Sequence, residues 1–558
     1  MTRAKVRADY ILRRRLAILP RELRILTPPS GPPLEPLSVS GMNSGSGSAL
    51  RRLSLRLEGA LVLALVLVYL AVMLPSLTRF PPLNNDEGRE GNLSWVASGL
   101  QPGAERMNAY RGFGTWGTGG LQGATTVALF RLFGLGLFQA RLTSLLWGGP
   151  LLLVVYWLGR HYWGRAVGLA AMALLAVSDP FLLSTHTLRP DIQVVTLVLL
   201  ALALVEHGLT SGRSWPPVVA GLLLGLSFDT HMNTLAFMPL VAAAPLVRYG
   251  WSVWRRPTIW LLAAGLGLAA LYYIGVRILP DPSGYVAAMR YWIGVDKAPP
   301  LAREAGSGGL LAQARLELLR YAEYFGVSGQ GIDEPTELAL IVLGLAAGVR
   351  RALCGSRPDR TLLLGLVAAA IFFVVAVSMK SRYYMLLTYP IYVLLIARGF
   401  QQLAGRLRRP VVARAGLAAL VLLAVLWPLK FHDRAWDKYV RGVRYRAGQE
   451  YYLLTAQLEQ LAGPDAKILA PPLFWYGLHD HPFTDIYVFE RVRRQYGETA
   501  DQFLASVRPD LVITDAKIAT DRATERELYR ALDDRAPREL VVRHKNYGDL
   551  AIYRLRWP

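Results

Sequence analysis

Residues 59–77 read GALVLALVLVYLAVMLPSL, and a few positions later residues 84–91 read NNDEGREG. The first run carries no charge and is long enough for a span of about 20 residues. Arg51, Arg52 and Arg56 precede it, and the adjacent acids Asp86 and Glu87 follow it. A basic flank before an apolar run, with no small-residue cleavage site, predicts a retained signal anchor. The amino terminus then lies inside the cell and the acidic pair just outside the membrane. Two readings of that pair stay open. It is a solvated loop whose acids pair with Arg89, or an acid or base held at the membrane surface for chemistry.

The rest of the 558-residue chain supports the membrane reading, with 53% hydrophobic residues and a formal net charge of +22. A mean hydropathy of +0.29 exceeds what one soluble core needs. The positive charge does not signal nucleic acid, because it sits in the amino-terminal segment and in short loops between apolar runs. The chain is expected to be an α-helical polytopic membrane protein. Its single cysteine, Cys354, excludes an internal disulfide framework and is assigned no role.

Residues 1–56 are rich in Arg and then in Pro, Gly and Ser, which predicts a basic, mostly disordered cytoplasmic tail. Residues 125–138 carry Arg131 at their centre and are too short to span, so they are placed along the outer surface within an external loop covering 78–140. Further candidate spans are 142–158, 166–183, 192–209, 217–228, 234–247, 260–278, 338–348, 362–378, 384–397 and 411–429, about eleven with the first. Arg160 and Arg165, Arg213, Arg248 with Arg255 and Arg256, Arg350 with Arg351, and Arg406 with Arg408 and Arg409 fall in alternate loops. Those loops are expected to be cytoplasmic.

The opposite loops gather the other polar groups: Asp86 and Glu87, residues 184–191 (STHTLRPD), Asp229 to His231, a long segment 279–335, and residues 379–383 (MKSRY). The long segment has two expected helices, 282–294 and 310–325, and is read as a mobile cover. The transmembrane domain covers 57–430. Residues 431–558 read as a small soluble α/β domain, placed outside by the span count. It shows helices near 450–461, 499–507 and 524–532, strands at 467–470 and 510–514, and a hairpin over 540–556. Without a phosphate loop or metal-ligand spacing, it is expected to recognise an acceptor or act as scaffold.

Taken in order, Asp86 and Glu87, residues 138–146 (FQARLTSLL), 156–166 (YWLGRHYWGRA), Arg189-Pro190-Asp191 and 380–390 (KSRYYMLLTYP) resemble the polyprenyl-phosphate-sugar-dependent membrane glycosyltransferases. These include the protein O-mannosyltransferases and the lipid A aminoarabinose transferases. The resemblance covers roughly 59–397. It implies a GT-C fold and inverting transfer of a sugar from a polyprenyl phosphate to a lipid, protein or cell-envelope glycan acceptor at the outer membrane face. It further implies Asp86 as general base and Glu87 as its orienting neighbour. Lys380, Arg189 and Arg141 match donor-phosphate positions. The carboxy-terminal domain lacks residues that would choose among acceptors.

The chemistry suits such residues. An acceptor losing a proton as it attacks needs a carboxylate within hydrogen-bond reach. A leaving lipid phosphate is stabilised by about 4 kcal/mol from one cation at about 4 Å. Lys380, Arg189 and Arg382 are positioned in sequence for that task. The bland alternatives stand beside these: Lys380 and Arg382 as snorkelling interfacial cations, and Arg189 with Asp191 as a structural pair. His186 and His231 read as hydrogen-bonded loop residues, and Tyr383 and Tyr384 as an interfacial aromatic belt. Asp191, His231 and Tyr384 remain further candidates for the site. His479 and His481 suggest surface binding only. No metal ligands and no cofactor are expected; the lipid-linked sugar is a substrate, membrane lipids are partners and nucleic acid is not. A flippase for lipid-linked saccharides would carry mid-membrane charges and inverted repeats, which the chain does not show. A noncatalytic assembly protein would tolerate any change at Asp86.

Overall fold

The computed structural model describes residues 44–102, 105–107, 109, 120–293, 309–324, 335–377, 382–406, 411–412, 415–416, 418–419, 421–422, 447–515 and 523–557. The chain divides into two units, Met1–Ala60 and Leu61–Pro558. Of the first, only the leading part of helix α1 (Ser44–Met73) is described.

In the second unit the helices follow in order as α2 (Asn85–Ser98), α3 (Gly120–Phe133), α4 (Leu137–Trp163), α5 (Arg165–Ala176), α6 (Asp179–Thr185), α7 (Asp191–Ser211), α8 (Trp215–Thr230), α9 (Met238–Tyr249) and α10 (Pro257–Tyr273). They continue as α11 (Pro282–Ile293), α12 (Gly309–Tyr324), α13 (Pro335–Leu353), α14 (Arg357–Val375) and α15 (Met385–Gly405). Among the described residues, five helical segments are long and apolar enough to cross a membrane: Arg56–Ser76, Leu137–Trp163, Asp191–Ser211, Pro257–Ile278 and Arg357–Val375. A sixth results if α5 and α6, bent by 63°, form one span. This is fewer than the eleven expected. Helices α8 and α9 have 16 and 12 residues, too short for a bilayer core. Most of 411–429 lies outside the described residues.

Burial sorts the bundle. Of its most apolar window, α7 has 78% buried, against 22% for Arg56–Ser76 and 17% for Pro257–Ile278. A helix apolar on all sides and enclosed by protein is central, whereas the other two form the rim. Small residues let neighbours touch. A Cβ on Gly159 would lie 2.8 Å from Gly168 Cα, and one on Gly265 would lie 1.9 Å from Val218 O, so α4 meets α5 and α8 meets α10 backbone to backbone.

Residues 447–557 build a mixed five-stranded sheet with β1 (Ile468–Ala470), β2 (Phe483–Asp485), β3 (Leu511–Asp515), β4 (Leu540–His544) and β5 (Gly548–Arg554) in the order β2-β1-β3-β5-β4. Strand β1 is parallel to β2 and β3, and β5 is antiparallel to β3 and β4. Helices α17 (Val488–Tyr496), α18 (Ala500–Val507) and α19 (Ala523–Arg535) cover one face through Phe489, Val492, Phe503, Leu504 and Leu532. On the other face α16 (Ala447–Ala462) contributes Tyr451, Leu454 and Leu458. That second core also contains Leu83, Met107, Phe130, Leu137 and Leu188. The sheet therefore shares an apolar core with the segments around α2, the entry to α4 and the turn before α7.

Candidate active site

Helix α2 begins at the acidic stretch because its sequence caps itself. Asn84 Oδ1 accepts the Glu87 amide at 3.1 Å, and Glu87 Oε2 accepts the Asn84 amide at 3.2 Å. This reciprocal capping box puts Asp86 and Glu87 in the first turn, where the exposed amides of a helix N-terminus favour negative charge. Gly99, at φ +68°, closes the helix in a left-handed conformation.

The two acids then diverge. Glu87 is fully buried and receives Arg141 Nε on Oε1 at 2.8 Å and Arg141 Nη2 on Oε2 at 2.9 Å. The Leu188 amide also donates to Oε1, at 3.1 Å. Arg141 is fully buried as well, and its remaining bonds go to Leu77 O at 3.0 Å and Pro81 O at 2.9 Å. Arg141 thus faces the Glu87 carboxylate and not an open surface. The pair knots together the end of the first apolar helix, α2, the start of α4 and the turn before α7.

Asp86 has a side chain 52% exposed and hydrogen-bonds Arg189 Nη1. Arg189 Nε donates to Asp191 Oδ2 at 2.9 Å, and its guanidinium lies 4.3 Å from the centre of the Tyr383 ring. Burial opposes the charge on Arg189, but Asp191 and then Asp86 outweigh it and raise its pKa, so it stays cationic. Asp191 is 1% exposed, and its Oδ1 is buried with no hydrogen-bond partner. Tyr383 therefore sits inside the site, where its hydroxyl also accepts from Asn84 Nδ2 at 3.4 Å. Tyr384 stacks on Phe373, with ring centres 5.9 Å apart, and faces His231 at 6.4 Å. His231 Nδ1 accepts the Asn233 amide at 3.1 Å, and burial lowers its pKa. His186 bonds Ser76 and the Leu182 carbonyl. Lys380 lies outside the described residues, and Arg382 is described only as the start of the short turn Arg382–Tyr384.

Sequence reasoning passed over two residues here. Glu90, one turn beyond Asp86, has a buried Oε2 without a hydrogen-bond partner. Burial first, and then Asp86, pushes its carboxyl up to about 8, against the weaker pull of Arg189 and Arg89. Arg320 on α12 is 3% exposed and pairs with Glu317, yet its Nε and Nη1 have no hydrogen-bond partner. Its guanidinium lies 5.0 Å from the Phe373 ring centre, the same ring that stacks on Tyr384. A Glu and an Arg three positions apart among the apolar residues of 309–324 were the available signal. Arg89, read from the sequence only as a partner of the adjacent acids, is bonded to Asp485 of the α/β domain at 2.8 Å. Among the described residues no group of three or more His, Cys, Asp or Glu is arranged to hold a metal ion.

A model of the family described as dolichyl-phosphate-mannose-protein mannosyltransferase matches residues 124–289. No curated protein matches the chain by sequence. Among solved structures, apo ArnT from Cupriavidus metallidurans superposes with TM-score 0.57 at 17% identity, over 88% of this chain and 97% of that one. The same protein bound to undecaprenyl phosphate gives 0.55 at 16%, over 88% and 97%. The Archaeoglobus fulgidus oligosaccharyltransferase AglB, in complex with an inhibitory peptide and a dolichol-phosphate, gives 0.51 at 14%, over 88% and 74%. The fold is that of the GT-C membrane glycosyltransferases. Within that class the chain resembles the protein O-mannosyltransferases and ArnT, as the sequence motifs implied.

Proposed function

We propose that this protein is an inverting glycosyltransferase that moves a sugar from a polyprenyl-phosphate donor to an acceptor at the extracytoplasmic membrane face. The observation that carries the reading is Asp86, a half-exposed carboxylate at the start of α2, bonded to the buried cation Arg189. Asp86 takes the proton from an acceptor hydroxyl or amine as that atom bonds to the anomeric carbon. The bond from that carbon to the phosphate oxygen breaks, and its electron pair leaves with the lipid phosphate. Arg189 and Arg320, with Arg382 and the sequence-assigned Lys380, are the cations proposed to stabilise the phosphate charge. The unsatisfied donors of Arg320 support its inclusion.

Glu87 and Arg141, bonded to each other and to backbone groups and both without exposure, are proposed to position the base rather than to touch substrate. The undecaprenyl phosphate in the ArnT complex and the dolichol-phosphate in the AglB complex support a polyprenyl-phosphate donor here. The amino terminus and the basic loops are assigned to the cytoplasm, and the acidic helix and the α/β domain to the outside. The test is transfer of label from radiolabelled polyprenyl-phosphate sugars to membrane lipid and protein fractions by wild type and Asp86→Asn. The expected result is loss of a labelled product in the variant, by about 10²-fold or more. Equal labelling by both removes Asp86 as the base.

A further inference from the structure

The face of α2 away from the bundle is built against the α/β domain. A Cβ on Gly88 would lie 1.9 Å from Pro472 O, and one on Gly91 would lie 2.2 Å from the Tyr476 hydroxyl, so nothing larger than glycine fits at either position without movement. Asn85, beside Asp86, accepts the Leu473 amide on Oδ1 at 3.3 Å and donates from Nδ2 to the Tyr487 hydroxyl at 3.4 Å. Arg89 completes the join. Its Nε donates to Asp485 Oδ2 at 2.8 Å, its guanidinium lies 5.5 Å from the Tyr487 ring centre, and its Nη1 is 3.9 Å from Asp86 Oδ1.

Asp485 is itself fixed. Its side chain is 2% exposed, Oδ1 accepts the Tyr487 amide at 2.8 Å, and its own amide donates to Met107 O at 2.8 Å. A carboxylate so placed holds Arg89 by a charge-assisted bond and keeps the nearer guanidinium nitrogen at 3.9 Å from Asp86, beyond hydrogen-bond distance.

We infer that the α/β domain is a positioning element of the catalytic unit, acting on Asp86 through the Asp485–Arg89 pair. The inference rests on the reading of Asp86 as the base. With Asp485 neutral, Arg89 is held less firmly away from Asp86 and, drawn closer, makes it a weaker base; without Arg89, Asp86 loses a nearby positive charge. The two changes act on Asp86 in opposite senses, and a scaffold that merely held the fold together would not produce that opposition. Among the described residues, the other titratable and charged groups around Asp86 are Glu90 on its own helix, Arg189 and Asp191 at the start of α7, His231 after α8 and Tyr384 before α15. None of them changes between the variants.

The experiment measures sugar transfer against pH for the full-length protein in detergent or vesicles, comparing wild type, Asp485→Asn, Arg89→Ala and Asp485→Glu. The expected kcat falls about tenfold to a hundredfold in Asp485→Asn, as for a catalytic group slightly misplaced, with the donor KM little changed. The ascending limb of its pH profile moves to lower pH. In Arg89→Ala that limb moves to higher pH, and Asp485→Glu recovers part of the loss. In an Asp86→Asn background, Asp485→Asn adds no further loss, the non-additivity of two residues in one chain of action. Wild-type activity in Asp485→Asn beside an inactive Asp86→Asn overturns the inference and leaves the base in place. So does parallel loss of activity and thermal midpoint in both variants with the pH profile unmoved. An active Asp86→Asn overturns the reading beneath it instead.

Discussion

Arg141 closes a two-bond fork on Glu87, Nε to Oε1 at 2.8 Å and Nη2 to Oε2 at 2.9 Å, with both side chains fully buried. Two charges withdrawn from water in this way are tolerable only together, and removal of one strands the other. Glu87→Gln is therefore expected to destabilise the protein by about 3–5 kcal/mol. Asp86→Asn, at a side chain 52% exposed, is expected to cost no more than about 1 kcal/mol. Thermal unfolding in one detergent checks the contrast. Equal midpoints for the two variants would show that the fork is not a structural knot.

Glu90 makes stability depend on pH. Its carboxyl is raised from 4.5 to about 8, so the folded protein holds this proton more tightly than the unfolded chain does. That contribution is complete below about 4.5 and is lost as pH rises to about 8, at a limit of about 1.4 kcal/mol per pH unit. Glu90→Gln, which keeps the shape without the charge, is expected to unfold at a higher temperature than wild type near pH 8 and to converge with it near pH 4.5. Unfolding curves of the two that run parallel across this window would rule the coupling out.

Arg320 offers two buried donors without partners beside the Phe373 ring. Arg320→Gln retains a donor toward Glu317 but removes the cation, and it is expected to raise the KM for the polyprenyl-phosphate sugar by about tenfold or more. Stability is expected to fall as well, by about 3–5 kcal/mol, because the substitution leaves the buried Glu317 carboxylate without its cation. Saturation of transfer with donor concentration reads the effect; an unchanged KM would take Arg320 out of the phosphate site.

The outline of the bundle was legible in the chain. The apolar runs 142–158, 192–209 and 260–278 fall inside helices long and apolar enough to span, and 59–77 and 362–378 overlap two more that end at Ser76 and Val375. The helices expected at 282–294 and 310–325 appear as Pro282–Ile293 and Gly309–Tyr324. In the α/β region the helix expected over 450–461 runs over Ala447–Ala462, and the hairpin turns between His544 and Gly548. Strand β2 and helix α17 were not foreseen. Three residues between prolines and charges leave too short a pattern for β2, and the polar sequence VFERVRRQY of α17 buries only Val488, Phe489 and Val492.

At the site, sequence alone determined which residues lie at the ends of apolar runs, because hydropathy and charge are local properties of neighbouring positions. It put Asp86, Glu87, Arg189 and Asp191 in the loops between apolar runs. Only the tertiary structure decided which charge meets which: Glu87 with Arg141 across 54 positions, Asp86 with Arg189 across 103, and Arg89 with Asp485 across 396. The partner of a buried charge is whichever opposite charge the packing brings into the same low-dielectric space, and no periodicity in the chain records that meeting. Hence two adjacent acids, alike in sequence, become a buried structural knot and a half-exposed carboxylate.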